Sequence, residues 1–395
     1  MDPCSTRLRC HLKNRLRSLI KGLMPDLVRL SHDISAHPET ALTEYRTRDI
    51  LCDFLHAHGF SITTGIGGLK TSFSATFGTA RRPALAYLAE LDALPGIGHA
   101  CGHNVNSVIS AGAAVALSRS VGPDAARIAV IGTPAEEIGY GKPVLIRHHV
   151  FETYDAALMS HASTKRLGYR PMLALKKIRI RFKGRSAHAA TYPEEGRDAL
   201  SGLILSINNI NGLRASFRPH MRANGIITSG GTAPNIIPDF AEAYYFIRAI
   251  TMDELEELMG WIRRAVRGAA QATGTKSEVR EEGYTQYPFR VNDTLMTVYE
   301  QVLDALRLQQ TKADLYTGIG SSDIGELSHI LPTIHMSTPI GTKAHIHTPA
   351  FRRLAVSTSA DRGIAEGALV LAMIGRELIK KPALIRQIRQ SQAGR

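Results

Sequence analysis

The sequence is poor in cysteine and tryptophan, with four Cys and one Trp among 395 residues. Four thiols (Cys4, Cys10, Cys52 and Cys101) are too few to staple a chain of this length, so a disulfide framework is excluded. They read as reduced thiols of a cytoplasmic protein, unless one has a chemical task. Long apolar runs are also missing. A membrane helix needs about 18 apolar residues, and the longest candidates, near 108–117 and 367–375, reach about half of that. Internal repeats and low-complexity segments are absent, and 44% apolar with 21% charged residues excludes wholesale disorder, collagen and coiled coil. The N-terminus lacks the apolar stretch and small-residue cleavage site of a secretory signal. Arg7, Arg9, Arg15 and Arg17 would suit a mitochondrial transit segment, but no Ser-rich stretch accompanies them.

Acidic side chains are outnumbered, 35 to 48, for a net charge of +13. The excess is local. Residues 1–30 hold seven Lys/Arg against two Asp, and residues 376–395 hold six against one Glu, so the two ends carry ten of the thirteen charges. A basic protein raises nucleic acid or an anionic membrane as partner. Charge confined to the ends reads instead as solvated tails, and no nucleic-acid-binding motif is present. Neither nucleic acid nor membrane is expected as a partner.

What is present has two characters. Helical spacing of apolar residues runs over 16–33 and 43–60. Short apolar runs then alternate with helical segments: strands at 84–91, 127–133 and 154–160, with a small-residue helix at 105–120 between the first two. That is the mark of a parallel α/β sheet. Near 172 the pattern changes. KKIRIRFKG (176–184) alternates apolar Ile178, Ile180 and Phe182 with basic residues, as a half-exposed strand does. A helix (198–211), strands (223–230 and 240–250), a helix (251–269) capped by Thr251, and a strand (277–284) complete the order βαββαβ, a ferredoxin-like unit. From about 292 the α/β character returns. The chain is therefore expected to be a discontinuous catalytic α/β domain (1–171 and 290–395) interrupted by a smaller inserted domain (172–289).

Open α/β sheets bind ligands beyond the carboxyl ends of their strands. After strand 84–91 come Asp92, His99, Cys101 and His103. After 127–133 come Glu136 and Glu137; after 154–160, His161; after 332–338, His345 and His347. Each piece alone is ordinary, since paired glutamates usually form a solvated face and a lone loop His is usually hydrogen-bonded. Four strand ends delivering carboxylates, a thiol and imidazoles toward one edge are the donor set of a divalent metal site. Two ions sharing a water could acidify it and polarise a carbonyl, while one glutamate of the pair serves as general base.

At these residues the chain resembles the dinuclear metallopeptidase and amidohydrolase family that includes aminoacylases, carboxypeptidase G, auxin-conjugate hydrolases, p-aminobenzoyl-glutamate hydrolases and the β-alanyl-lysine dipeptidase. The matching stretches are AELDALPGIGHACGHN (89–104), PAEE (134–137), GRSAHAA (184–190), GGTAPNIIPD (230–239), SSDIGELSHILPTIH (321–335) and HTPAF (347–351). The resemblance implies a mixed-sheet, zinc-peptidase-like catalytic domain with an inserted lid and dimerisation domain. It implies Cys101, His103, Glu137, His161 and His347 as metal ligands, with His345 as the competing candidate for the last place. It implies Glu136 as general base and Asp92 as the residue that orients a ligand imidazole. In the larger branch a His stands two residues before that aspartate and is itself a ligand; here the position is Glu90, and that ligand is lost. His188 matches a histidine that reaches the partner subunit's active site and stabilises the oxyanion. Asn235 and Arg248 match substrate contacts, Arg248 as a carboxylate clamp.

The expected activity is hydrolysis of an amide bond in a small N-acyl amino acid or dipeptide. It would use a metal-bridged hydroxide, two divalent ions (zinc favoured, manganese or cobalt admissible) and a homodimer formed through the inserted domain. Two other readings compete. One is a catalytically silent scaffold that binds through basic tails; the other is a Cys101 hydrolase that works without metal.

Overall fold

A computed structural model describes residues 3–311 and 319–393. Two helices, α1 (Pro3–Ala36) and α2 (Tyr45–Ala57), lead into β1 (Ser61–Thr64), β2 (Phe73–Phe77) and β3 (Ala84–Glu90). Then come α3 (His103–Ser118), β4 (Arg127–Thr133), α4 (Gly141–Arg147) and β5 (Ala156–Ser163). The next elements are β6 (Ala174–Lys183), α5 (Ala199–Leu213), β7 (Arg222–Ser229), β8 (Phe240–Ala249), α6 (Met252–Thr273) and β9 (Lys276–Gln286). The chain closes with α7 (Asp293–Leu306), α8 (Ile324–Ile330), β10 (Thr333–Pro339), α9 (Pro349–Leu354), α10 (Thr358–Lys380) and α11 (Pro382–Ala393).

These elements form two units, divided after Arg170 and again between Pro288 and Phe289. Residues 319–325, expected in the catalytic segment, group with the second unit. The Leu173 N–H donates to the Gly320 carbonyl at 2.8 Å, and a side chain on Gly325 would collide with the Tyr287 carbonyl.

The first unit holds a six-stranded sheet in the order β1-β2-β4-β3-β5-β10. Strands β4, β3, β5 and β10 run parallel; β1 and β2 pair antiparallel, and β2 is antiparallel to β4. The sheet is thus mixed. The central strands are continuous apolar runs buried on both faces, as a covered parallel sheet requires. Helix α3 is buried along its whole length, and its Gly, Ala and Ser residues permit that. A Cβ on Gly112 would lie 2.7 Å from Leu27 of α1, so the two helices approach at van der Waals limits.

The basic ends are not loose tails where they are described. Leu16, Ile20, Leu23 and Leu27 of α1 are buried, as are Ile385 and Ile388 of α11. Arg389 of α11 donates to the buried Asp155 at 3.1 Å. The described Arg15, Arg17, Lys21 and Arg29 of α1 and Arg386 and Arg389 of α11 lie on the exposed face of amphipathic helices packed on the first unit, which the charge count by itself could not distinguish from a solvated tail. The side chains of residues 3–13, including Cys4 and Cys10, lie outside the described ones; Cys52 and Cys101 are buried free thiols. No described helix is long and apolar enough to cross a membrane.

The second unit is a four-stranded antiparallel sheet, β7-β8-β6-β9, backed by α5 and α6. Ile178, Ile180 and Phe182 face its core, while Arg179 and Arg181 each bond Glu242 across to β8 at 2.7 Å. Thr251 caps α6 through the Glu254 N–H. Strand β7 is an edge that exposes Ile226 and Ile227.

Candidate metal centre

Strands β4, β3, β5 and β10 are neighbours and parallel, so their carboxyl ends share one edge of the sheet. Asp92 lies just past β3, Glu136 and Glu137 just past β4, His161 within the end of β5, and His347 in the loop after β10. Helix α3 begins at His103. Gly102 precedes it with φ of 84°, and a Cβ there would lie 2.6 Å from the Ala162 Cβ. Only glycine allows the chain to turn between Cys101 and His103 so close to β5. Gly102→Ala is expected to destabilise the metal-free protein by about 2 kcal/mol or more, through left-handed strain plus the clash. Chemical denaturation would read this, and an unchanged midpoint would refute the packing argument.

The cluster is built as follows. The Cys101 sulfur lies 3.5 Å from His161 Nε2. His103 Nε2 is 3.4 Å from Glu90 Oε2 and 3.9 Å from carboxylate oxygens of both Glu136 and Glu137. His347 Nε2 is 3.5 Å from Glu137 Oε2. Three groups of donor atoms lie close enough to share an ion: Cys101–His103–His161, Cys101–Glu137–His347, and Glu90–His103–Glu136. Cys101 belongs to two of them and His103 to two. Among the described residues, the buried His103 Nε2 and Glu137 Oε1 have no hydrogen-bond partner. A buried polar atom without a partner costs free energy, and a metal ion would remove that cost. The donors therefore fit divalent ions in both type and placement.

Backbone devices hold these donors. Asp92 acts through two parts of its structure. Its main-chain carbonyl accepts from His103 Nδ1 at 2.7 Å, which puts the ring proton on Nδ1 and leaves Nε2 for the cluster. Its carboxylate accepts the Glu136 and Glu137 N–H groups at 3.0 and 2.9 Å. The Asp92 carboxylate also lies 3.5 Å from His103 Nδ1, so carbonyl and carboxylate both face the imidazole, and the carboxylate fixes the glutamate turn as well. Ala135, at φ 58°, donates its N–H to the buried Glu44 at 2.9 Å, which also accepts the Thr71 hydroxyl at 2.8 Å. The His347 N–H donates to the Ala100 carbonyl at 2.9 Å, tying its loop to the Cys101 loop. His345 is exposed and belongs to none of the three donor groups.

Burial pushes the Cys101 thiol up to about 12. Burial also raises the Glu137 carboxyl and takes His161 well below its ordinary value. For His103 burial opposes the charge, yet the Glu90 carboxylate and the Cys101 sulfur hold its pKa well above the ordinary range. Glu90 is buried too, but Lys142, at 2.8 Å, outweighs burial and holds its carboxyl well below the usual carboxylate range.

The remaining residues singled out from the sequence lie in the second unit. His188 is exposed, and its Nδ1 accepts the Ala190 and Thr191 N–H groups at 3.3 and 3.2 Å. That fixes the ring proton on Nε2, leaving an outward-facing donor. Asn235 is exposed, and its carbonyl accepts the Ala189 N–H at 3.0 Å, which pairs its loop with that of His188. Arg248 is half-buried at the end of β8, its guanidinium over the Phe246 ring; burial lowers its pKa.

Sequence reasoning missed Glu44, Asn106, Lys142 and His335. Lys142 sits in a seven-residue helix with glycine before it and proline after it, and nothing local marks it as a buried partner of a residue 52 positions away. His335 is buried against His161, with ring centroids 5.8 Å apart. Its position within β10 reads as an ordinary inward-facing strand residue.

Residues 174–273 match a peptidase dimerisation domain. Over 394 residues the chain is 35% identical to the Xaa-Arg dipeptidase of Mus musculus, covering 96% of this chain and 91% of that protein. It is 33% identical over 273 residues to a p-aminobenzoyl-glutamate hydrolase chain of Escherichia coli, covering 64% of this chain and 56% of that one. Among solved structures, a dinuclear metal-binding peptidase of the M20 family from Bacillus subtilis superposes with a TM-score of 0.72 at 21% identity, covering 91% of this chain and 99% of the other.

Proposed function

The chain belongs to the M20 family of peptidases, and from that membership we propose that it is a metal-dependent dipeptidase acting on dipeptides with a basic C-terminal residue. The observation that carries the metal reading is the meeting of two donor groups at Cys101, with Glu136 beside them. Support for the substrate class comes from the Xaa-Arg dipeptidases of mouse and human, at 35% and 33% identity.

Cys101, His103, Glu137, His161 and His347 would hold two divalent ions. Sulfur and imidazole donors favour zinc, and the carboxylates also suit manganese or cobalt. Bound ions would polarise the scissile carbonyl and acidify a water. Glu136 takes the proton of that water and delivers it to the leaving nitrogen. Asp92 keeps the glutamate turn and the His103 ring in place. Arg248 clamps the substrate's free carboxylate, its partly desolvated guanidinium strengthening the pair. Asn235 lines the substrate with it, and the Nε2–H of His188, supplied by a partner subunit, stabilises the developing oxyanion. Exposed Ile226 and Ile227 on the β7 edge support a homodimer through this unit, because an unpaired apolar edge favours covering. The scaffold reading expects lost ligands or a lost base, and every matched position is retained.

Metal uptake should release protons. The metal-free Cys101 thiol, pushed up to about 12, and the His103 ring, held well above its ordinary value, both carry protons at neutral pH. Both must give them up to ligate, so affinity should rise with pH by about tenfold per unit for each proton released. Calorimetric titration in buffers of different ionisation enthalpy would count the protons; a count of zero contradicts this protonation state. The substrate assignment is tested by a panel of dipeptides, N-acyl amino acids and aryl-glutamates. X-Arg and X-Lys dipeptides should give the highest kcat/KM, and equal or better turnover of an acyl amino acid would refute it.

A further inference from the structure

Glu90 is the last residue of β3, fully buried, and reaches elements on which the proposed ligands sit. Its Oε1 accepts from Lys142 Nζ at 2.8 Å; Lys142 lies on α4, just after the Glu136–Glu137 turn, and is itself wholly buried. Its Oε2 accepts from Asn106 Nδ2 at 3.1 Å, and the Oδ1 of the same Asn106 accepts the Ala162 N–H, next to His161, at 2.8 Å. That leaves Oε2 facing His103, 3.4 Å from the buried Nε2 that has no hydrogen-bond partner.

A purely structural ion pair explains this poorly. Taking two charges out of water costs several kcal/mol each, and a well-packed apolar pair at such a site is often as stable or more so. The second carboxylate oxygen faces His103 Nε2 at 3.4 Å without a hydrogen bond, and an ion taking the place of the Nε2 proton would join the two atoms. The separation of 3.4 Å suits two donor atoms on one ion: each would sit about 2.0–2.2 Å from it, an ordinary angle apart.

We propose that Glu90 is itself a metal ligand, giving Oε2 to the ion held by His103, while Lys142 occupies Oε1 and Asn106 sets the carboxylate's rotation. The ligand lost at this position by its departure from histidine is replaced by a carboxylate, and Lys142 offsets the added charge. This inference rests on the two-ion reading above.

The test is metal binding by the full chain, stripped of metal and titrated with Co2+ and, against a chromophoric chelator, with Zn2+. Wild type should bind two ions. Glu90→Gln should weaken one binding step by about 100-fold, as expected for loss of a ligand, and alter the visible Co2+ spectrum of that site. The other step should stay within about threefold, the scatter expected of an untouched site. Because Glu90→Gln takes a carboxylate away from the buried Lys142 ammonium, the double variant Glu90→Gln/Lys142→Met removes both charges and should show the same selective loss in a folded protein. Two steps of wild-type affinity with an unchanged Co2+ spectrum in the double variant would overturn the assignment and leave the two-ion reading standing. A wild-type chain that bound no ion would overturn both.

Discussion

Glu136→Gln is expected to lower kcat by about 10³-fold, within the 10²–10⁴ range for a positioned general base, with metal content unchanged and KM within a few-fold. The amide matches the carboxylate in shape but cannot accept the proton of the attacking water. Glu136 sits at the end of β4 on a turn whose N–H groups are pinned by the Asp92 carboxylate, so the substitution should not displace the backbone. A loss of 10³ corresponds to about 4 kcal/mol of transition-state stabilisation. Steady-state kinetics with metal analysis on the same sample would check it. A loss below tenfold would show that another group takes the proton.

His188→Ala is expected to cost about 10²–10³ in kcat, the effect of removing one oxyanion donor. The ring is prepared for that task, because its Nδ1 accepts from the Ala190 and Thr191 N–H groups and its proton is therefore on Nε2. His188→Asn keeps a donor and should recover part of the loss. Mixing then separates the two subunits. If His188 acts in the partner's site, dimers of Glu136→Gln with His188→Ala contain one site with both groups intact. A random equimolar mixture should then regain about a quarter of wild-type activity, since half the dimers are mixed and each carries one good site in two. No regain on mixing would show that His188 serves its own chain.

Much of this arrangement was legible in the sequence because the central strands are unbroken apolar runs with the chemistry placed just past their ends. ALAYLAEL and RIAVIGT could hardly be anything but buried strands, and Asp92, Glu136 and Glu137 follow them directly. The alternation in β6 and the capped helix α6 marked the inserted unit equally well. The short outer strands β1 and β2 were not legible: β1 has four residues, and neither strand carries a continuous buried run. The buried Glu90–Lys142 pair was invisible for a different reason. Sequence spacing places Glu90 near the site, but the lysine that determines its behaviour arrives from another element, and only packing brings them together. The terminal helices show the converse failure. The 16–33 periodicity announced a packed helix, while its Lys and Arg suggested a tail; both signals come from one amphipathic helix seen from its two faces.

The central claim is that amide hydrolysis here depends on two ions held by the Cys101–His103–Glu137–His161–His347 cluster. It is tested most directly by titrating metal-stripped protein with Zn2+ while following hydrolysis of an X-Arg dipeptide. The stripped protein should be inactive, and activity should rise to its plateau at about two ions per chain, the number a two-metal site requires. Full activity in protein shown to be free of metal would contradict it.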